Sequence, residues 1–303
     1  MPIHASKISH SSAHPARSAQ ELAETSIRSY YDQTWTDYQL VWFGQQTRGI
    51  HFGYWDDQTH SHAESLLNTN KVLAERIGVR AGQRILDAGC GAGDGAVWLA
   101  RHYGVEVTGI TLVPSQIARA RAFAHKMGVS DNVHFEVMDY TKTTFADSSF
   151  DVVWAVESVC HTPTKNQFIQ EAYRVLKPGG RFGMIEYLHS DQELAPAEEA
   201  YLRRWLSHWA IANLATSAEF FQWLNESGFT DQHYEDITMP IKPSFDRLYR
   251  LAMLVLPVAR LLRMVRLATK IQFENKLGSI EGYRALAAGL WHDGLITATR
   301  PLR

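Results

Sequence analysis

Residues 85–93 read ILDAGCGAG, a short apolar run that ends on Asp87 and passes into glycines at 89, 91 and 93. The apolar run reads as a buried strand. Glycines at alternate positions let the chain turn tightly and let its backbone approach a ligand closely. Val97, Trp98 and Leu99 then open a helical stretch, so the segment is a strand, a glycine loop and a helix whose N-terminus faces the loop. Dinucleotide-binding loops share this outline, but their third glycine falls here on Asp94. An acidic residue just ahead of the glycines, Asp87, suits a ligand with an ammonium group better than a pyrophosphate.

Outward from this loop, short β-rich runs alternate with helical ones, the pattern of a parallel sheet with crossover helices. Strands are predicted over residues 84–89, 105–110, 132–138, 151–156, 181–187, 233–238 and 295–300. Helices are expected from about Ser115 to Met127 before Gly128, and over Thr162–Leu176 with Pro163 at a favourable first position. Lys177-Pro178-Gly179-Gly180 reads as a sharp stop. Ser217 reads as the cap of a helix through Phe221 and Leu224 that ends at Gly228. Residues 26–75 form an N-terminal helical and aromatic cap segment, and residues 76–303 the core. Two helical insertions, 190–215 and 240–290, extend the cap over the open end of the sheet. Residues 1–25 are expected to be a flexible tail: the first twenty are Ser-, His- and Ala-rich, with no apolar core of a secretory signal.

The 303 residues are 45% hydrophobic and 20% charged, and 30 basic against 32 acidic residues leave a net charge of −2. That balance argues against a nucleic-acid binder. Two cysteines without CxxC spacing, Cys90 and Cys160, give neither a zinc site nor a disulfide framework, and a cytoplasmic compartment fits them best. Leu248–Leu267 invites a membrane reading. Its longest apolar stretch, Leu251–Ala259, is far short of the ~20 residues a span needs. Arg250, Arg260, Arg263 and Arg266 interrupt or flank it. A buried or amphipathic helix is expected there, with peripheral membrane contact or a homo-oligomer surface as open alternatives.

DAGCGAG resembles the first motif of class I S-adenosylmethionine (SAM)-dependent methyltransferases, and the likeness runs over roughly residues 75–190. GITLVPSQ (109–116), VMDY (137–140) and VVWAVESVCH (152–161) make the chain similar to the sterol and γ-tocopherol C-methyltransferase group. That group includes bacterial natural-product methyltransferases of terpenoid and prenyl substrates. HFGYWDD (51–57) and GLITATRPL (294–302) fit the same group. The resemblance implies an α/β, Rossmann-like fold: a seven-stranded, mostly parallel sheet whose last strand is antiparallel, with helices on both faces and a helical cap. It implies SAM as cofactor, held by Asp87, Gly89, Cys90, Gly91, Thr111, Leu112, Gln116, Asp139, Tyr140, Glu157 and Tyr31. Many relatives place a ribose-binding acid where this chain has Thr111, so the ribose contact passes to Gln116. Asp139 takes the adenine position, unless it only forms a turn.

At the reacting end, Glu157 and His161 follow the fourth strand, four residues apart. Glu157 matches the family's acidic residue and is expected to act as base or cation stabiliser, the alternative being a loop brace. His161 is the second catalytic candidate, the alternative being a packing histidine, and Tyr54 the third. Trp205, Trp209 and the Leu251–Leu262 region are candidates for the wall of an apolar acceptor pocket. The four arginines could meet a diphosphate on a prenyl substrate, or simply face solvent. The implied activity is methylation at carbon of a terpenoid, sterol-like or prenylated molecule. Oxygen or nitrogen methylation of a secondary metabolite is the alternative, since one scaffold supports all three. A non-catalytic SAM-binding subunit is a remoter one. No metal ligand set is expected.

Overall fold

The computed structural model describes residues 19–303, and the first eighteen, which carry most of the expected tail, lie outside the described residues. Residues 19–25, assigned to the tail from sequence, instead begin the first helix, α1 (Ala19–Val41). The chain continues through α2 (His62–Ile77), β1 (Arg84–Ala88), α3 (Asp94–Tyr103), β2 (Glu106–Thr111), α4 (Pro114–Met127), β3 (Val133–Val137) and β4 (Phe150–Val156). A 3₁₀ turn (Val159–His161) leads to α5 (Lys165–Val175), β5 (Leu176–His189), α6 (Pro196–His208), α7 (Ser217–Ser227) and β6 (Thr230–Asp236). The long α8 (Thr238–Met264), α9 (Lys270–Ala287) and β7 (Trp291–Thr299) complete it.

The seven strands form one sheet in the order β3-β2-β1-β4-β5-β7-β6, with β7 alone antiparallel to its neighbours. The expected fold class is therefore what the chain adopts. Alternation along the strands separates two cores. Ile85, Val107, Val152, Trp154 and Ile185 face α2, α3 and the cap helices, whereas Leu86, Ile110, Val153, Phe182 and Met184 face α5 and α7. Burial on both faces is why these strands read as near-continuous apolar runs.

Three local expectations are corrected. The helix after Pro163 starts at Lys165, because residues 159–161 first turn as 3₁₀. The fifth strand begins at Leu176 and not at Arg181: Leu176 pairs with Phe150 across a register shift, so Lys177–Gly180, which follows the end of α5 as expected, is an irregularity inside β5. The cap of α7 is Thr216, not Ser217. Its hydroxyl accepts from the Glu219 N–H (3.2 Å), and Glu219 Oε2 accepts from the Thr216 N–H (2.8 Å).

Among the described residues the insertion after β5 supplies α6 and the insertion after β6 supplies α8 and α9; α9 packs on α8, α6 and α1. These helices join the sheet through stacked rings. Trp205 lies 4.8 Å from Trp291, which lies 5.6 Å from Phe245. Gly282 of α9 leaves no room above Trp205: an added Cβ would stand 2.4 Å from Nε1. Gly282→Ala is therefore expected to overpack this junction at a cost of about 1–3 kcal/mol. A thermal melt checks it, and an unchanged midpoint would show that the cap carries no stability.

Candidate active site

Chain direction decides where a ligand can enter. The connections after β1 and β4 lead to opposite sides of the sheet, so a crevice opens at the carboxyl ends of these two neighbours. Asp87 near the end of β1 and Glu157 just after β4 mark its two lips. A cleft of about 770 Å³ runs between them. Gly89 has φ +88°, and a Cβ on it would fall 2.3 Å from that of Ser158. The Ser158 hydroxyl donates to the Ala88 carbonyl (2.7 Å), which locks the glycine loop to the turn after β4. Gly91, with φ +52°, has no atom within 4 Å of where its Cβ would stand, so its backbone opens on the cleft.

Asp87 is buried, and burial holds its carboxyl up at about 7, against the Ala96 backbone hydrogen bond that favours the anion. Its Oδ2 is buried with no partner. Asp94 is as deeply buried but richly paired. Its Oδ1 accepts from the Thr47 hydroxyl (2.7 Å) and the Arg48 N–H, its Oδ2 from Asn70 Nδ2 (2.9 Å), and His51 Nε2 lies 3.7 Å from Oδ2. These partners outweigh desolvation and hold Asp94 below the usual carboxylate range. Desolvation likewise disfavours charge on His51, yet the Asp94 carboxylate raises it above its ordinary value. His51 Nδ1–H donates to the Phe52 carbonyl (2.9 Å). The N-terminus of α3 thereby pins residues 47–51, and Arg48 to His51 become a wall of the cleft.

Thr111, Leu112 and Gln116 line the end of the cleft beyond β2. The Thr111 hydroxyl donates to Gln116 Oε1 (2.7 Å), which leaves the NH₂ as that amide's remaining polar group. Cys90 and Tyr140 also line the cleft, and the Tyr140 hydroxyl donates to the Ser158 carbonyl (2.9 Å). Asp139 does not line it. Its Oδ1 accepts from the Thr141 N–H and hydroxyl (2.8 Å each), and its Oδ2 from Gln20 Nε2 of α1 (3.2 Å). In this arrangement Asp139 is a turn former braced by α1.

Glu157 takes a left-handed backbone conformation (φ +45°) that is uncommon for a residue with a side chain. Its Oε1 accepts from the Phe52 N–H (2.7 Å) and its Oε2 from the Tyr187 hydroxyl. Burial raises its pKa to about 7, opposed by His51 and by these hydrogen bonds. His161 Nδ1–H donates to the Ala210 carbonyl (2.9 Å), so Nε2 is the acceptor for the Tyr31 hydroxyl (2.9 Å). Burial pushes His161 down to about 4, so the ring is neutral. A second cleft, of about 640 Å³, shares Tyr31, Ile50, His51, Glu157 and His161 with the first. Trp42, Phe52, Tyr187 and Trp209 wall it, and among the described residues neither lysine nor arginine lines it.

One expectation fails here, and of the two readings of the four arginines the solvent-facing one fits. Tyr54 lines neither cleft: its backbone N–H donates to Ser65 O and Thr69 Oγ1, and its phenol feels Glu235 and Arg76 instead. Its neighbours His51 and Phe52 face the site. Arg250, Arg260, Arg263 and Arg266 are exposed and line neither cleft, and of the α8 region only Leu248 reaches the second one. Trp209 lines that cleft, while Trp205 backs it from 5.7 Å. Sequence reading missed Arg48, His51, Asn70 and Asp94. Asp94 was visible as the break in the dinucleotide spacing, the one signal that pointed to any of them.

Fold and site together define a class I methyltransferase. A methyltransferase-domain family model matches residues 86–184. The chain is 35% identical over 198 residues to the 27-O-demethylrifamycin SV methyltransferase of Amycolatopsis mediterranei, covering 65% of this chain and 72% of that protein. It is 33% identical over 227 residues to a sterol 24-C-methyltransferase of Gibberella zeae, covering 74% of this chain and 58% of that one. Among solved structures it superposes on the [4+2]-cyclase SpnF with a TM-score of 0.75 at 24% identity, covering 91% and 96% of the two chains. A geranyl diphosphate C-methyltransferase from Streptomyces coelicolor gives 0.67 at 21%, covering 92% and 97%. This chain belongs to the SAM-dependent methyltransferases, in the branch that holds sterol C-methyltransferases and bacterial natural-product methyltransferases.

The residues present fit that cofactor. Asp87 offers a buried, unpartnered carboxylate oxygen to an ammonium group, and Gly91 leaves space a side chain would fill. Asp94→Ala strips residues 47–51 of their anchor and leaves His51 buried without its counter-charge. It is expected to weaken SAM binding by at least about tenfold, a loss of about 1.4 kcal/mol by titration calorimetry. Wild-type affinity in that variant would show that the loop needs no such latch.

Proposed function

We propose that the protein methylates an apolar, uncharged small molecule at carbon, with Glu157 as the cation stabiliser and base. The observation that carries this reading is the position of Glu157. Its carboxyl lies where the two clefts meet, among aromatic walls and with no lysine or arginine on the acceptor side. SAM, when bound, supplies an electrophilic methyl for in-line displacement. The chain's own groups do the rest. Asp87 receives the ammonium group, and the Gln116 NH₂, turned outward by Thr111, donates to ribose oxygens. An alkene acceptor becomes a carbocation once methylated, and the faces of Trp42, Phe52, Tyr187 and Trp209 stabilise it. The adjacent carbon then gives its proton to the Glu157 carboxylate, whose raised pKa suits a base near neutral pH. The Phe52 N–H and Tyr187 hydroxyl hold that carboxylate in place throughout.

A diphosphate fits this cleft poorly, since its charges would be buried without a cation. A terpenoid or sterol-like acceptor without that group is the better match. Oxygen methylation is a second reading, favoured by the neutral His161 whose Nε2 already accepts a phenolic proton from Tyr31. An acceptor hydroxyl in the place of that phenol would find a base.

Turnover of apolar acceptors with isotope-labelled SAM, read by product mass, separates the two. For carbon methylation Glu157→Gln is expected to lower kcat by about 10²–10⁴, while Tyr31→Phe costs only a few-fold. Unchanged turnover in the glutamine variant would sink Glu157 as base. The base must be ionised, so kcat/KM should fall as pH drops below about 7, and this limb should vanish in Glu157→Gln.

A further inference from the structure

The outer face of α8 and the turn after it form an apolar surface with an unusual charge pattern. Leu254, Val258 and Leu261 make a stripe at helical spacing, and Met264, Val265 and Leu267 cluster on the turn; Leu254 is 75% exposed, Met264 80% and Leu267 77%. Between Asp246 and Glu274 there is no acidic residue, whereas Arg247, Arg250, Arg260, Arg263, Arg266 and Lys270 all fall there. Among the described residues Arg260, Arg263 and Arg266 form no ion pair. In a chain of net charge −2 this is a local concentration of cations around exposed apolar side chains. No helix among the described residues is long and apolar enough to cross a membrane, so the segment cannot be a span.

We propose that this face docks on an anionic lipid surface, with the α8–α9 turn seated among the acyl chains and the arginines at the headgroups. An exposed apolar stripe flanked by arginines and free of carboxylates is the composition an interfacial helix needs. A symmetric contact between two copies would instead set the same arginines against each other. The helix that carries the patch also reaches the acceptor cleft, nearer its start. Exposed Leu40 precedes Val41, which lines that cleft, and Arg247 of α8 donates to the Val41 carbonyl (2.7 Å). Leu248, one residue on, lines the cleft as well. The docked protein thus presents its acceptor cleft beside the bilayer, where an apolar molecule is concentrated. That consequence rests on the apolar acceptor proposed above; the docking itself does not.

Co-sedimentation of the full chain with vesicles of phosphatidylcholine, alone or with about one third phosphatidylglycerol, tests it, since charge attraction and apolar burial are separable here. The wild type is expected to pellet with the anionic vesicles, to stay in solution with the neutral ones, and to be released by high salt. The triple variant Leu254→Asn, Leu261→Asn, Leu267→Asn should lose at least ten-fold in vesicle affinity, and so should Arg260→Gln, Arg263→Gln, Arg266→Gln. Both variants should keep wild-type SAM affinity, which shows that they fold. Wild-type protein that ignores anionic vesicles overturns the proposal, as does an asparagine variant that binds them normally. A dimer by light scattering that only the asparagine variant dissolves would assign the face to a second copy instead. Failure to methylate any acceptor would overturn the function proposed above and leave vesicle binding untouched.

Discussion

Two buried carboxylates hold the N-terminal segment across the open edge of the sheet, and both clefts exist because they do. Asp94 collects Thr47, the Arg48 N–H, Asn70 and His51, while Glu157 takes the Phe52 N–H. Residues 47–52 have no regular hydrogen-bonding partners of their own, so side chains from α3 and the turn after β4 stand in for them. The segment then lies between the first cleft and the second, with Ile50 and His51 lining both. A sheet alone would leave the carboxyl ends of β1 and β4 open to water. Pinning an irregular strip over them by charge-assisted hydrogen bonds makes an enclosed place for a sulfonium and an apolar partner to meet.

The same cluster is short of cations. Burial lifts Asp87 and Glu157 to about 7 each, and His51, whose charge opposes both shifts, is already committed to Asp94. A carboxyl whose pKa is raised on folding contributes stability below its ordinary value of about 4 and loses it as pH climbs to the raised value. Near neutrality these two groups therefore work against the fold. A ligand carrying positive charge reverses that: it favours both ionised forms, lowers their pKa values and recovers the lost stability. A cleft with this charge deficit suits a cation-bearing ligand better than a pyrophosphate.

Much of this was legible in the chain itself, for a local reason. The strand, glycine loop and helix of residues 85–99 are set by neighbouring residues, and strand ends are where open α/β sheets bind ligands. Asp87, Gly89 and Gly91 could be named from position, and Thr111, Gln116 and Glu157 from the family resemblance; all six line the first cleft. Asp94 was visible only as the break in the glycine spacing, and its role could not be read, because its pairing with His51 spans more than forty residues. HFGYWDD shows where the failure lies: its aromatic content marks a packed segment, but an irregular strip has no period to say which side chains turn inward. Tyr54 was drawn from that segment, and His51 and Phe52 are the ones that reach the site. Asp139 illustrates the opposite problem, since a strand-end aspartate looks the same whether it awaits a ligand or caps a turn.

Fold alone leaves the chemistry open. A [4+2]-cyclase superposes on this chain as well as the geranyl diphosphate C-methyltransferase does, and relatives named for carbon and for oxygen methylation resemble it to a similar degree. What distinguishes one outcome from another must lie in the second cleft. There a carboxyl of raised pKa and a neutral imidazole are the two groups able to accept a proton, and they serve different acceptors. Proton loss from carbon beside a cation needs a negative group that also lowers the energy of that cation, which a carboxylate among aromatic faces provides. Deprotonation of a hydroxyl needs only a lone pair at hydrogen-bond distance, which His161 presents to Tyr31. Among the described residues neither lysine nor arginine lines those walls, which weighs toward the uncharged acceptor proposed above. Such a molecule would dissolve poorly in water, and docking of the α8 face as proposed above would let the cleft take it from a surface rather than from solution.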